Sequence, residues 1–460
     1  MKTHPDGLVA PPNLDESTLT ELACRAVAIA REAGADQAEA YLTVERDLTL
    51  ASRSQRIEKT EQAVVAGLGL KVFRRLHKAY VIGSGWDEHA IREMARRALE
   101  YASETTAEAA NRLPDEATGT YHLELSEPEL AGRSMEDKLA LLQRMESAAH
   151  EARQAIENTR EASYWDRSFT KVHANSLGLL SLEQKTHCGL SVSVVARAGS
   201  EKQVGGQYQT ERVFGRLDPE RVGQEAAAIA ARKLGARPVP SCRAPVVFDN
   251  RVGLQFLGYL IAAVNGERVA LGETFLAGKL GEPVASPYVT IVDEAERQGG
   301  YANSLVDGEG VRTANRRILE GGILTTYLHD LYSSLRMRAA LTGSVQRGSY
   351  EREGSIGAHN LYLAPGTSTR DQIVAGVQAG LLVTDLMGMG LTMASGNYSI
   401  GASGLWIEHG QITHPVERVT IASNLLEMLR GIEEVGEDLR FWAGTGSPTF
   451  KIREVAISGE

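Results

Sequence analysis

The chain has 460 residues and a formal net charge of −10, from 49 basic and 59 acidic side chains. With 43% hydrophobic and 23% charged residues it has an ordinary globular composition and is too long for a single core. The acidic balance and the lack of a long basic run argue against direct nucleic-acid binding, which needs clustered Lys and Arg.

Three widely spaced cysteines, Cys24, Cys188 and Cys242, give neither a disulfide framework nor a zinc ribbon. Residues 1–17 lack an apolar signal-like core and read as a flexible leader. The longest apolar run, Leu257–Val264, is too short to cross a bilayer, so no membrane role and a cytoplasmic location are expected.

In chain order, Thr18 to Glu21 reads as a capping box opening a helix. Its stripe is Leu19, Leu22, Ala26, Ile29 and Ala33, with Cys24 on the apolar side as a core residue. Ala40, Leu42 and Val44 then alternate with Glu39, Thr43 and Glu45, which is strand periodicity. Strands around Val64–Phe73 and Lys78–Ile82 follow, and Asp87 caps a second amphipathic helix. This gives an N-terminal α+β domain over residues 18–105. Residues 106–133 read as a linker with one short strand.

A central α+β domain is expected over residues 134–241. Ser134 and Asp137 open its first helix, and strand-like runs follow at Glu161–Asp166, Phe169–Ala174 and Leu190–Ala198. Asp218-Pro219 starts a further helix by the cap-then-proline rule, and Gly235 closes it. Residues 242–460 are glycine-dense and rich in short strands, with hairpin turns at Gly321-Gly322 and His409-Gly410. The expected fold is α+β and multi-domain, with mixed, mainly antiparallel sheets with helices and a strand-rich C-terminal domain.

At the head of the last unit, Pro245–Phe248 reads as a buried strand and Asp249-Asn250 as a turn. Leu254, Leu257, Leu260, Ile261 and Val264 then recur at helical spacing up to Gly266. From Val252 to Asn265 there is no His, Asp, Glu or Cys. A catalytic zinc helix carries ligands about a turn apart, and this one carries none.

Other candidates are thin. His409 and His414 flank a hairpin, and His187 and Cys188 point to opposite faces of a strand. Asp307-Gly308-Glu309-Gly310 reads as a solvated acidic turn in preference to a cation site, and Gly388-Met389-Gly390 as a lone glycine pair outside any βαβ unit. The hydroxyl-rich stretch Ser395–Gly404 reads either as a backbone-and-hydroxyl surface lining a groove or as turns between strands. The residues by themselves give a multi-domain α+β chain with no assembled catalytic set.

Several long segments nevertheless resemble the TldD/PmbA family, whose members carry the label modulator of DNA gyrase and are understood as metallopeptidases. They are AGADQAEAYLTVERDLTLASRSQRIEKTEQAVVAGLGLKVF (33–73), KVHANSLGLLSLEQKTHCGLSVSVVA (171–196), NGERVALGETFLAGKLGEPV (265–284), RRILEGGILTTYLHDLYSS (316–334), the run from Gly380 to Leu429, and FKIREVAISG (450–459). The resemblance implies one of two kinds of subunit. The TldD-like kind holds its catalytic metal on an HExxxH helix with a downstream cysteine. Here the equivalent positions are Gly258, Tyr259 and Ala263, and no cysteine follows Cys242, as in the TldE/PmbA kind.

The resemblance thus implies a non-catalytic subunit, without a cofactor of its own, that pairs with a zinc-bearing TldD-like subunit as a heterodimer. Hydrolase activity on unfolded peptides is expected only from that pair, with Asn397, Ser399 and Ser403 near the substrate chamber. The alternatives are a stand-alone homodimer that binds peptides, or a relative repurposed for small-molecule biosynthesis.

Overall fold

The computed structural model describes residues 15–459. Of the leader expected over 1–17, residues 1–14 lie outside the described residues. Its end belongs to helix α1 (Glu16–Glu32), capped by Asp15, whose carboxylate accepts from Thr18 N. The helix therefore starts a turn's length ahead of the Thr18 box. Cys24 is exposed rather than in the core, because Ala23, Ala26, Val27 and Ala30 form the buried side.

Residues 37–211 build one seven-stranded sheet. Its strands are β1 (Gln37–Arg53), β2 (Arg56–Arg74), β3 (His77–Gly83), β4 (Gly119–Leu125), β5 (Ile156–Asn175), β6 (Leu179–Ala198) and β7 (Glu201–Glu211). They lie in the order β3-β2-β1-β5-β6-β4, with β7 also on β6. Segments 18–105 and 134–241 are thus joined by the long antiparallel β1–β5 ladder, and β4, inside 106–133, pairs in parallel with β6. The two runs read at 161–166 and 169–174 are one continuous strand, because β1 and β6 hydrogen-bond β5 on both sides.

Two helix pairs cover this sheet. Helix α1 and α2 (Glu88–Ser103) pack on Ala38, Ala40, Leu42 and Val44 of β1 and on Leu68, Leu70 and Val72 of β2. Helices α3 (Met135–Ala152) and α4 (Pro219–Ala231) pack further along, on Leu48 and Leu50 of β1 and on Leu190, Val192 and Val194 of β6. All the β1 contacts are even-numbered, so both pairs share one face. Ser134 with Asp137 forms the expected capping box of α3, and Asp218 with Pro219 opens α4.

The odd-numbered face of β1 is polar yet buried: Glu39, Tyr41 and Thr43 are each at most 2% exposed. It docks the C-terminal unit through Arg347, whose guanidinium lies 2.6 Å from Glu39 Oε1 and 3.8 Å from the centre of the Tyr41 ring. Tyr41 Oη donates to Arg347 O, and Lys71 and His173 also face Glu39. Burial alone would raise the Glu39 carboxyl, but Lys71, His173 and Arg347 outweigh it and hold it well below the usual range.

The C-terminal unit holds a second seven-stranded sheet and a six-stranded one. In the former, β8 (Cys242–Phe248) pairs in parallel with Ala379–Met387 and antiparallel with Phe450–Ser458. The strands Gln411–Asn424 and Asn397–Glu408 follow, and the latter pairs back onto Ala379–Met387, closing a ring. His409 (φ 51°) and Gly410 (φ 77°) make the tight hairpin expected between the last two. Among the described residues no helix is long and apolar enough to cross a membrane.

Candidate functional site

Strand β8 runs into helix α5 (Asn250–Ala263) through Asp249, which caps the helix by accepting from Arg251 N. Asn265 then caps the short helix α6 (Gly266–Leu271), which ends on left-handed Gly272. The strand–turn–helix read from the sequence is therefore present, and its apolar stripe enters the largest core.

The three positions of interest on α5 have different surroundings. Gly258 is exposed, and a Cβ there would meet nothing within 4 Å. Ala263 is fully buried in the core, and its carbonyl accepts from Thr274 Oγ1 at 2.8 Å. Tyr259 is 8% exposed and acts as a latch. Its hydroxyl accepts from Gln255 Nε2 (3.0 Å) and from Gly390 N (3.3 Å), while Gln255 Nε2 also donates to Gly388 O. Its ring meets Tyr398 edge-on, at 6.0 Å between centroids. Burial, with Tyr259 beside it, raises the Tyr398 phenol.

The Gly388-Met389-Gly390 pair thus serves as a close-packed loop held against α5. A Cβ on Gly390 would sit 2.0 Å from the Ser399 carbonyl oxygen, so only glycine fits. Ser399 N in turn donates to Gly390 O. The Ser395–Gly404 stretch is mostly strand instead of a run of turns, because Asn397–Glu408 is bonded on both sides. Asn397 and Ser399 face outward while Tyr398 and Ile400 face the core, and Ser403 is buried opposite Asp385. The fold therefore brings Tyr259 and Ser399 to the same loop and leaves Ser403 apart.

These residues do not fit a metal ion. Gly258 and Ala263 offer no donor atom, and Tyr259 Oη already accepts two hydrogen bonds. Ala263 is fully buried among core side chains, so an imidazole there would have to displace its neighbours. Among the described residues no group of three or more His, Cys, Asp or Glu side chains is placed to hold an ion. His409 lies at a hairpin tip and His414 on the following strand, opposite Trp406. His187 stacks on Tyr301, while Cys188 faces the apolar core behind it.

The acidic turn is not solvated as expected. Asp307 is 4% exposed, and its carboxylate accepts from the backbone N–H groups of Glu309, Val311 and Val345. Burial pushes its carboxyl up to about 6 despite those bonds. Glu309 is pushed up to about 8 by burial and by the nearby Asp307 and Asp330. The sequence carries no signal for this, since the cover comes from segments far along the chain.

Comparison with known proteins identifies the lineage. Residues 128–234 match the PmbA/TldA metallopeptidase central domain and residues 241–459 the C-terminal domain of the same name. Metalloprotease PmbA of Escherichia coli O157:H7 is 30% identical over 429 residues, covering 92% of this chain and 93% of the relative. A crystal structure of a Thermotoga maritima candidate modulator of a DNA gyrase superposes with a TM-score of 0.86 at 25% identity, covering 95% of this chain and 99% of that one. TldE from Thermococcus kodakarensis shares the fold, with a TM-score of 0.85 at 21% identity over 96% of this chain and 100% of that one. The chain belongs to the PmbA/TldD family of metallopeptidases.

Proposed function

We propose that this chain is a TldE/PmbA-like, non-catalytic subunit that works in peptide proteolysis with a zinc-bearing, TldD-like subunit. The carrying observation is helix α5. Where the catalytic kind of subunit is expected to have its HExxxH, this helix has Gly258, Tyr259 and Ala263, and the last two are packed into a core and a latch. A helix bound up in this way acts as a wall and not as a source of metal ligands. In this reading the chemistry belongs to the partner, and this chain encloses and orients an unfolded peptide, which strand edges can hold through main-chain hydrogen bonds. Asn397 and Ser399, exposed beside the latch, are the candidate peptide contacts, and Ser403 is too buried to be one. The pair would operate in the cytoplasm.

The test is co-purification with a TldD-like subunit from the same organism, together with metal analysis. The expected result is a one-to-one complex, with less than about a tenth of an equivalent of zinc in this chain alone. A tightly held metal ion in the isolated chain would overturn the proposal. A metal-free homodimer that ignores the TldD-like subunit but binds peptides would replace it with the stand-alone reading.

A further inference from the structure

Away from α5, a cavity of about 370 Å³ lies between the polar face of the first sheet and the loops of the C-terminal unit. That is within the size range of small-molecule pockets. Its chemistry is unusual for a seam between two packed units. Lys171 and Lys185 both bond the single carboxylate of Glu183, at 2.9 and 2.5 Å, so two cations share one anion. Burial would raise the Glu183 carboxyl, but the two lysines overrule it and hold it at about 2. Arg347 and Arg167 also line the space, each with carboxylates of its own: Glu39 for the former, Glu45 and Asp47 for the latter. Glu45 and Asp307 are the other acids on the wall, and both oxygens of Asp307 are taken by backbone N–H groups.

Three side chains around this cavity each keep one buried nitrogen without a hydrogen-bond partner among the described residues: His359 Nε2, His187 Nε2 and Gln346 Nε2. The His359 side chain is 1% exposed, and its Nδ1 faces Asp293 Oδ2 at 3.3 Å. With the proton on Nδ1, Nε2 is left as an unpaired acceptor behind the cavity wall. Burial, with Lys185 nearby, pushes the His187 imidazole down to about 4 and keeps it neutral, and its ring stacks on Tyr301 at 4.0 Å. The wall therefore offers ammonium donors and a flat aromatic surface, backed by an amide and two imidazole nitrogens that have no partner of their own. A buried polar atom without a partner costs free energy that a matching ligand would recover.

We propose that this cavity binds a small carboxylate that also carries an N–H donor and a flat apolar group, such as an aromatic amino acid or the C-terminal residue of a peptide. The carboxylate is received by Lys185 and Lys171 and the apolar group by the His187–Tyr301 stack, while a turn of the Gln346 and histidine side chains brings their unpaired Nε2 atoms to the carboxylate and the N–H. The proposal does not depend on the partnership above, because every residue in it belongs to this chain and none lies on α5.

The experiment uses the full chain and calorimetry with four probes: L-phenylalanine, N-acetyl-Ala-Phe, its C-terminal amide, and 3-phenylpropanoate. The expected result is saturable binding of one of the first two. The amide, lacking the carboxylate, and the phenylpropanoate, lacking the N–H, should bind at least about tenfold more weakly. Preference for the free amino acid or for the acetylated dipeptide tells which source the site takes. Lys185→Gln should weaken the preferred probe at least about tenfold while leaving the amide unchanged. Equal binding of acid and amide, or no binding of any probe at about 10 mM, overturns the proposal, and neither result needs a variant to fold.

Discussion

Glu309 gives the sharpest physical prediction. Its carboxyl faces Asp307, Asp330 and Lys71, and Oε2 accepts from Leu331 N at 2.9 Å. Glu108, Glu267, Glu353 and Lys78 line the same acidic hollow. Burial, Asp307 and Asp330 raise the group from 4.5 to about 8, so between those values the folded chain holds a proton that the unfolded chain has released. Stability from this group is therefore greatest at low pH and is lost as pH rises from 4.5 through 8. Glu309→Gln keeps the acceptor oxygen for Leu331 N and removes the titration. The variant should gain on the native chain by about 2–4 kcal/mol between pH 5 and pH 8. Urea midpoints of both chains at pH 5, 6, 7 and 8 measure this gap directly. A gap that stays constant or narrows with pH would refute the assignment of a neutral, half-buried Glu309.

Three other perturbations probe the docking face and the helix. Arg347→Met should cost about 1.5–3 kcal/mol, because buried Glu39 loses the nearest of its three partners and keeps Lys71 and His173; adding Glu39→Gln should restore part of that, as read by a double-mutant cycle in urea. Tyr259→Phe removes the acceptor for Gln255 Nε2 and Gly390 N, so a loss of about 1–2 kcal/mol and faster hydrogen exchange at the Gly390 amide are expected. Restoring the motif with Gly258→His, Tyr259→Glu and Ala263→His should lower the melting temperature and bind no zinc stoichiometrically, since the imidazole at 263 overpacks a filled core by about 1–3 kcal/mol.

The local elements were readable where caps and periodicity agree. Ser134 with Asp137, Asp218 with Pro219, and the strand–turn–helix from Pro245 onward lie where the pattern puts them. At α1 the Thr18 box competed with Asp15, and the aspartate three residues ahead took the role. What the sequence hid is tertiary. Glu39, Tyr41 and Thr43 alternate with apolar residues as a solvent-facing strand side would, yet Arg347, some three hundred residues on, covers them. The glycines of Ser395–Gly404 suggest turns, but Gly404 is needed because a Cβ would sit 2.0 Å from Leu382 O across the ladder. The absence of ligands on α5 was legible. The Tyr259 latch was not, because Gly388 and Gly390 come from a loop beyond the reach of local pattern.

If this chain is the non-catalytic subunit proposed above, catalysis needs a second one. The direct measurement is cleavage of an unstructured peptide by this chain alone with zinc supplied, by a TldD-like subunit alone, and by the two together. The expected result is no cleavage by this chain alone and full activity only in the mixture. Cleavage by this chain alone, removed by a chelator and restored by zinc, would contradict it.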